Sequence, residues 1–180
     1  MYTETCGIRL PARSQADRSI TKGSKGHCTA FAVLGKDCGR RFQAESHLEL
    51  QNLLVVNALP DVAELKEQVL FEWYERSNLR RHYFDLIAVL NCEHRIAFTV
   101  KPERRLNSGK FLAEMRGITS HALEADFCDE VRLVTDRDID PIHENNARVL
   151  AALTDVDPTA DRIASEIAGQ IVGAVSLRDF

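Results

Sequence analysis

The sequence lacks paired cysteine motifs, apolar runs long enough to cross a bilayer, and any excess of positive charge. Its five cysteines (Cys6, Cys28, Cys38, Cys92 and Cys128) are odd in number and scattered. None is spaced as Cys-x-x-Cys, which excludes a zinc ribbon and a dithiol redox motif. His27, Cys28 and Cys38 want a fourth metal ligand at workable spacing, so the thiols are read as reduced and unlinked. No stretch approaches the roughly 20 apolar residues of a membrane span. The opening residues, Met1 to Cys6, have no apolar core of the signal-peptide kind, and a cytoplasmic protein is the expectation. A net charge of −4 argues against holding nucleic acid by bulk electrostatics. Internal repeats and low-complexity tracts are missing as well.

What is present is the content of one ordinary globular domain. The chain has 180 residues, 44% hydrophobic and 28% charged, enough for one sizeable core and a short appendage. Basic clusters (Lys22-Gly23-Ser24-Lys25, Arg40-Arg41, Arg80-Arg81-His82, Arg104-Arg105) lie in the earlier part, and acidic residues gather between Glu124 and Asp161. That asymmetry fits an enzyme with one DNA-facing side, and equally a solvated mixed surface.

Residues 1–25 are polar and aperiodic, and read as a flexible arm. Cys28 to Leu34 predicts a strand that Arg40-Arg41-Phe42 pairs back on through the turn Lys36-Asp37-Cys38-Gly39. Leu48, Leu50, Leu53 and Leu54 fall at helical spacing, predicting a helix over Ala44 to Val56. Val62 to Leu70 reads as an extended connection and Phe71 to Tyr74 as a strand. Tyr83 to Leu90 is apolar apart from Asp85, as in a central strand covered on both faces. Arg95 to Lys101 alternates, with Ile96, Phe98 and Val100 on one side, and Pro102 stops it. Lys110 to Ala125 predicts a helix, Glu130 to Val134 a strand, and Thr135 or Asp136 the cap of a helical turn. Ile142 to Leu153 predicts a further helix. Asp157-Pro158 opens a last one, striped by Ile163, Ile167, Ile171 and Val175. The order describes a mixed α/β domain.

Asp85 needs a reason, because an unpaired carboxylate in an apolar strand is costly. Lys101, at the end of the next strand, is its candidate partner. Taken alone the two form an ordinary structural ion pair. They also have the layout of PD-(D/E)xK nucleases, in which the carboxylate holds a divalent metal. The lysine there orients or deprotonates the attacking water and stabilises charge on the phosphate.

From Gly26 to Leu153 the chain resembles the catalytic domain of TnsA, the endonuclease subunit of a heteromeric transposase. Glu45-Ser46-His47-Leu48-Glu49-Leu50, then Asp61-Val62 and Glu67-Gln68, resembles the helix and acidic-glutamine connection before that family's first strand. Phe84-Asp85-Leu86-Ile87 resembles its metal-aspartate strand. Thr99-Val100-Lys101-Pro102, with Lys110-Phe111-Leu112 behind it, resembles its lysine strand and following helix. Leu133 to Ile139 and Glu144-Asn145 continue the match. The resemblance implies a restriction-endonuclease-like core, with a mixed central β-sheet flanked by α-helices. It implies a nuclease domain over 26–153, after the arm and before a C-terminal helix in 154–180. That helix is expected to complete the core or to dock a partner.

Carried over residue by residue, the family's helical glutamate falls on Glu49, its aspartate on Asp85 and its lysine on Lys101. Glu45 lies one helical turn earlier and could face the same cleft; Glu49 is preferred because it follows Leu48. Mg²⁺ or Mn²⁺ is the implied cofactor, held by Glu49, Asp85 and the main-chain carbonyl of Val100. Thr99 stands where the superfamily usually has Glu, Asp or Gln, and would contribute through a held water. Arg80, Arg81, Arg104 and Arg105 flank the site strands as candidate phosphate contacts, or as solubilising charge. His82 and His94 are lesser candidates for a general acid, since this nuclease class does not need a histidine.

The implied activity is metal-dependent hydrolysis of double-stranded DNA at the 5′ side of transposon ends. The implied partners are a TnsB-like transposase and a TnsC-like ATPase. The residues of 154–180 are expected to form one amphipathic helix where the family has a further domain used for partner contacts. Two other readings stand beside this one: a standalone PD-(D/E)xK nuclease of defence or repair, and a catalytically silent DNA-binding or scaffolding subunit.

Overall fold

The computed structural model describes residues 10–20, 28–107, 109–153 and 157–173. Cys6, the Lys22–Lys25 cluster, His27 and Val175 lie outside the described residues.

The chain runs β1 (Ala30–Leu34), β2 (Arg40–Ala44), α1 (His47–Asn57), β3 (Val62–Glu75), β4 (Asn78–Leu90) and β5 (Arg95–Val100). It continues through a 3-10 turn (Glu103–Arg105), α2 (Lys110–Glu124), β6 (Glu130–Val134), α3 (Pro141–Ala152) and α4 (Pro158–Ala168). A mixed four-stranded sheet has the order β3-β4-β5-β6. β3, β4 and β5 are antiparallel neighbours, and β6 returns parallel to β5 after α2. β1 and β2 form a separate antiparallel hairpin. The protein is thus a mixed α/β fold.

Local chemistry accounts for the helix starts. Ser46 caps α1 by accepting from Glu49 N–H. Asp140 and Asp157 cap α3 and α4, each followed by a proline whose missing N–H costs nothing in the first turn. Thr135 caps the short turn expected there, its Oγ1 accepting from Arg137 N–H and its carbonyl from Asp138 N–H, and α3 has a cap of its own at Asp140.

Two apolar layers sandwich the sheet. On one face α1 supplies Leu53, Leu54 and Val56, α3 supplies Ala147, and both meet Leu65, Leu86, Ala88, Ile96 and Phe98. On the other face α2 supplies Met115, Ile118 and Ala122 against Phe71, Phe84 and Ala97. In β5 the alternation is regular, with Ile96 and Phe98 in the α1 layer and Ala97 in the α2 layer. In β4 it is not: Phe84 joins the α2 layer and Leu86 the α1 layer, although a regular strand would put both on one face. β3 changes faces likewise between Leu65 and Phe71. Gln68, within that stretch, has φ of 51°. The pairs Glu67–Leu86 and Val69–Phe84 leave Gln68 opposite Asp85, so both strands change faces at one point.

Three regions differ from the sequence expectation. Val62 to Leu70 belongs to one long strand with Phe71–Tyr74. Residues 10–20 bond its polar side chains and are not a loose arm: Ser14 Oγ donates to Glu67, Lys66 Nζ to Asp17 and Arg18 Nε to Gln68, and Ile20 is buried. α4 buries no residue, leaving Ile163 and Ile167 exposed, so within the described residues it does not complete the core. The third is the two-stranded hairpin, which begins at Ala30 rather than Cys28 and stays apart from the main sheet. No helix among the described residues is long and apolar enough to cross a membrane.

Candidate active site

Glu49, Asp85 and Val100 line one cavity of about 10 Å³, whose wall also includes the polar residues Gln43, Asn52 and Glu67 and the apolar Ala44, Leu53 and Leu86. That is about the space of one water. α1 brings Glu49, β4 brings Asp85 and the end of β5 brings Val100. Lys101 follows immediately, its Nζ 3.7 Å from Asp85 Oδ2. Glu49, Asp85 and Lys101, far apart in sequence, are therefore brought together.

Asp85 lies where the β4–β5 ladder ends. The last pair is Leu86–Phe98, and beyond it Val100 N–H donates to Asp85 Oδ2 at 2.7 Å. The carboxylate thus takes over from the ladder and is fixed by a charge-assisted bond. Burial pushes its proton affinity up, while Lys101 and the Val100 N–H pull it down; the net direction is upward.

Glu49 sits in the first turn of α1, where a carboxylate suits the helix N-terminus. Its Oε1 accepts from Ser46 Oγ at 3.0 Å and its Oε2 from Glu45 N–H at 2.7 Å. With Ser46 capping Glu49 N–H in return, this is a close relative of the capping box. Burial, and after it the charge of Asp85, pushes Glu49 up to about 7. An ordinary capping glutamate on a solvated surface would not be raised in this way. Glu45 does not line the cavity; its Oε2 accepts from Arg18 instead.

Gln68 links the groups. It is fully buried, and its Nε2 faces Glu49 Oε2 at 3.5 Å while its Oε1 accepts from Arg18 Nε at 2.8 Å. Glu67, also fully buried, accepts from Ser14 Oγ at 2.5 Å. Glu67 Oε2 and Asn52 Nδ2, both on the cavity wall, have no partner among the described residues.

Thr99 is placed differently from the expectation that it serves the metal. Its side chain falls on the face opposite Val100, where its Oγ1 lies 3.4 Å from His82 Nε2. It does not line the cavity. His82 is held down to about 4 by burial, then by Lys101 and Arg18, so its ring is neutral near pH 7. His94 is far along the sheet, beside Glu130.

The basic residues separate into two groups. Arg80 and Arg81 lie on the outer part of the β3–β4 hairpin, bonded to Glu75 and Glu72. Arg104 and Arg105 occupy the turn directly after Lys101-Pro102, and Arg104 borders an open groove of about 530 Å³ with Asn107 and Arg137. Only the second group adjoins Lys101 in the chain.

The donors suit a small hard cation. Mg²⁺ is commonly held by one or two carboxylates and otherwise by water and substrate oxygens. Glu49 and Asp85 supply that pair, both buried, and the charge of Asp85 adds to burial in raising the proton affinity of Glu49, a strain that a divalent cation would relieve. Glu49 Oε1 accepts one hydrogen bond, from Ser46 Oγ, and keeps a lone pair for a cation. Among the described residues no group of three His, Cys, Asp or Glu side chains forms a metal cluster.

Gln68, Asn52 and Arg18 were not singled out from sequence. Gln68 carried a faint signal in the Glu67-Gln68 pair; Arg18 carried none. No protein-family model matches the chain, and no curated protein sequence matches it significantly.

Proposed function

We propose that the chain is a TnsA-like, metal-dependent DNA endonuclease with a restriction-endonuclease-like core, working as the 5′-end-cutting subunit of a heteromeric transposase. The observation that carries the reading is the meeting of Glu49, Asp85 and Lys101 at one buried-to-exposed edge. A plain ion pair would need Asp85 and Lys101 alone. A second buried carboxylate beside them adds unfavourable charge that stability does not call for.

Glu49, Asp85 and the Val100 carbonyl would hold the cation, which supplies Lewis-acid stabilisation of the phosphate oxygens. Lys101, with its side chain about one-third exposed, reaches from Asp85 to the solvent edge and orients a water there. That water's oxygen forms the new bond to phosphorus and gives up a proton to solvent, the bridging P–O bond breaks, and the departing alkoxide takes a proton from solvent. His82, neutral and turned to Thr99, takes no part. Double-stranded DNA is the substrate, with TnsB-like and TnsC-like proteins as partners, and Arg104 and Arg105 stand closest in sequence to the reacting edge.

The test is nicking of duplex DNA in Mg²⁺ or Mn²⁺, with the protein alone and with a transposase and an ATPase. Wild type nicks, while Asp85→Asn and Lys101→Ala do not. Absence of divalent-cation binding by calorimetry, even with DNA and both partners present, overturns the reading.

A further inference from the structure

We propose that Arg18 is the phosphate-positioning residue of the Glu49–Asp85–Lys101 site, offering its remaining guanidinium N–H groups to a non-bridging oxygen of the substrate phosphodiester. The proposal rests on the nuclease reading and adds to it a group from outside the resembling segment.

The backbone around Arg18 is pinned to the site strands. Asp17 N–H bonds Gln68 O at 3.1 Å, Leu70 N–H bonds Asp17 Oδ2 at 2.8 Å, and Gln43 Nε2 bonds Arg18 O at 2.7 Å. Arg18 therefore stands at the point where β3 changes faces. Its guanidinium is fixed in plane by Nε on Gln68 Oε1 at 2.8 Å and Nη2 on Glu45 Oε2 at 2.9 Å. It is also stacked 4.5 Å over the Tyr83 ring.

Those two bonds use two of the five N–H donors of an arginine. The side chain is 35% exposed, and Nη1 has no partner among the described residues. Through Gln68, Arg18 is one side chain removed from Glu49. Arg18 and Lys101 are also the two cations whose fields reach both Asp85 and His82. Arg80 and Arg81, by contrast, lie on the outer part of the β3–β4 hairpin against Glu75 and Glu72. A preorganised guanidinium fork beside a carboxylate pair matches the geometry and charge of a phosphodiester.

A purely structural clamp and a phosphate contact respond differently to substitution. The full-length protein is titrated with a short fluorescent DNA duplex in Mn²⁺ across a salt series, alongside nicking kinetics. Arg18→Gln is expected to weaken binding about tenfold, and to reduce the slope of log affinity against log salt by about one phosphate contact, ~0.9. KM rises while kcat falls less.

Arg18→Lys cannot bridge Gln68 and Glu45 but keeps the charge, so it retains the wild-type salt slope. If Arg18→Gln fails to fold, phenylglyoxal modification of the wild type, read by mass spectrometry, decides instead: duplex DNA protects Arg18, and modification unchanged by DNA overturns the proposal. A wild-type slope and KM in a folded Arg18→Gln overturns it as well. A wild type that neither binds nor nicks duplex DNA removes the nuclease reading and this assignment with it. A wild type that nicks, beside an Arg18→Gln variant with unchanged slope and KM, removes the Arg18 assignment alone.

Discussion

Asp85 Oδ2 accepts the Val100 N–H at 2.7 Å, so the candidate metal carboxylate also closes the open end of the β4–β5 ladder. Two substitutions separate these duties. In Asp85→Asn the amide oxygen still accepts from Val100, and the melting temperature stays within a few degrees of wild type. In Asp85→Ala a buried N–H is left without an acceptor, at a cost of about 1–3 kcal/mol. Metal-dependent nicking is lost in both. Thermal melting beside the nicking assay checks this, and an Asp85→Asn protein that still cuts would count against the site.

Glu49 makes stability depend on pH in a direction opposite to that of a salt-bridged carboxylate. Its folded-state pKa of about 7 lies above the ordinary value of 4.5. The native state therefore holds the proton more tightly than the unfolded chain. The stability gained is full below the unfolded value and lost as pH rises through about 7. Without divalent cations, the melting temperature contributed by this group falls over that window. Glu49→Gln flattens that part of the curve.

The same raised value governs cation binding, because Mg²⁺ or Mn²⁺ must displace the Glu49 proton. Affinity measured by calorimetry is expected to rise with pH up to about 7 and level off above it. Proton release, read as a dependence of the heat on buffer ionisation, diminishes over the same range. A pH-independent affinity would remove Glu49 from the ligand set.

Ser46 both caps α1 and donates to Glu49 Oε1. Ser46→Ala is expected to cost about 1 kcal/mol in chemical denaturation, typical of a lost N-cap. It also loosens the Glu49 carboxylate, so cation affinity drops along with stability. Ser46→Asp keeps the cap but sets a second negative charge against Glu49, which separates the two effects.

Gly39 turns the β1–β2 hairpin with φ of 65°, and a Cβ there would come 2.8 Å from Val33 Cγ1 and 3.0 Å from Leu34 O. Gly39→Ala therefore meets both backbone strain and a clash, and a loss of roughly 1–3 kcal/mol is expected. Gly109 also has positive φ but open space around it, so Gly109→Ala is milder. Paired urea titrations give the comparison.

Much of the architecture was legible because it rests on local rules. The α2 stripe of Met115, Ile118 and Ala122, the Asp157-Pro158 start and the alternation of Ile96 and Phe98 each follow from residue spacing. Asp85 stood out as a charge in an apolar run, and Lys101 as its neighbour across the turn. What stayed hidden depends on distant partners. Val62 to Leu70 reads as a connection rather than a strand because Ser14, Asp17 and Arg18, which bond Glu67, Lys66 and Gln68, sit in an aperiodic segment far away in sequence. The place of Thr99 was hidden for a different reason. Parity assigns it a face, but only the change of faces at Asp85 shows which face the carboxylates occupy.

That change of faces has a consequence for transplanting or redesigning the site. Asp85 and Gln68 sit at a seam through which both apolar layers share one backbone distortion. Copying Glu49, Asp85 and Lys101 onto a regular sheet would put Asp85 on the wrong side of its strand. The portable unit is instead the irregular stretch of β3 and β4, together with the N-terminal residues that hold it in shape.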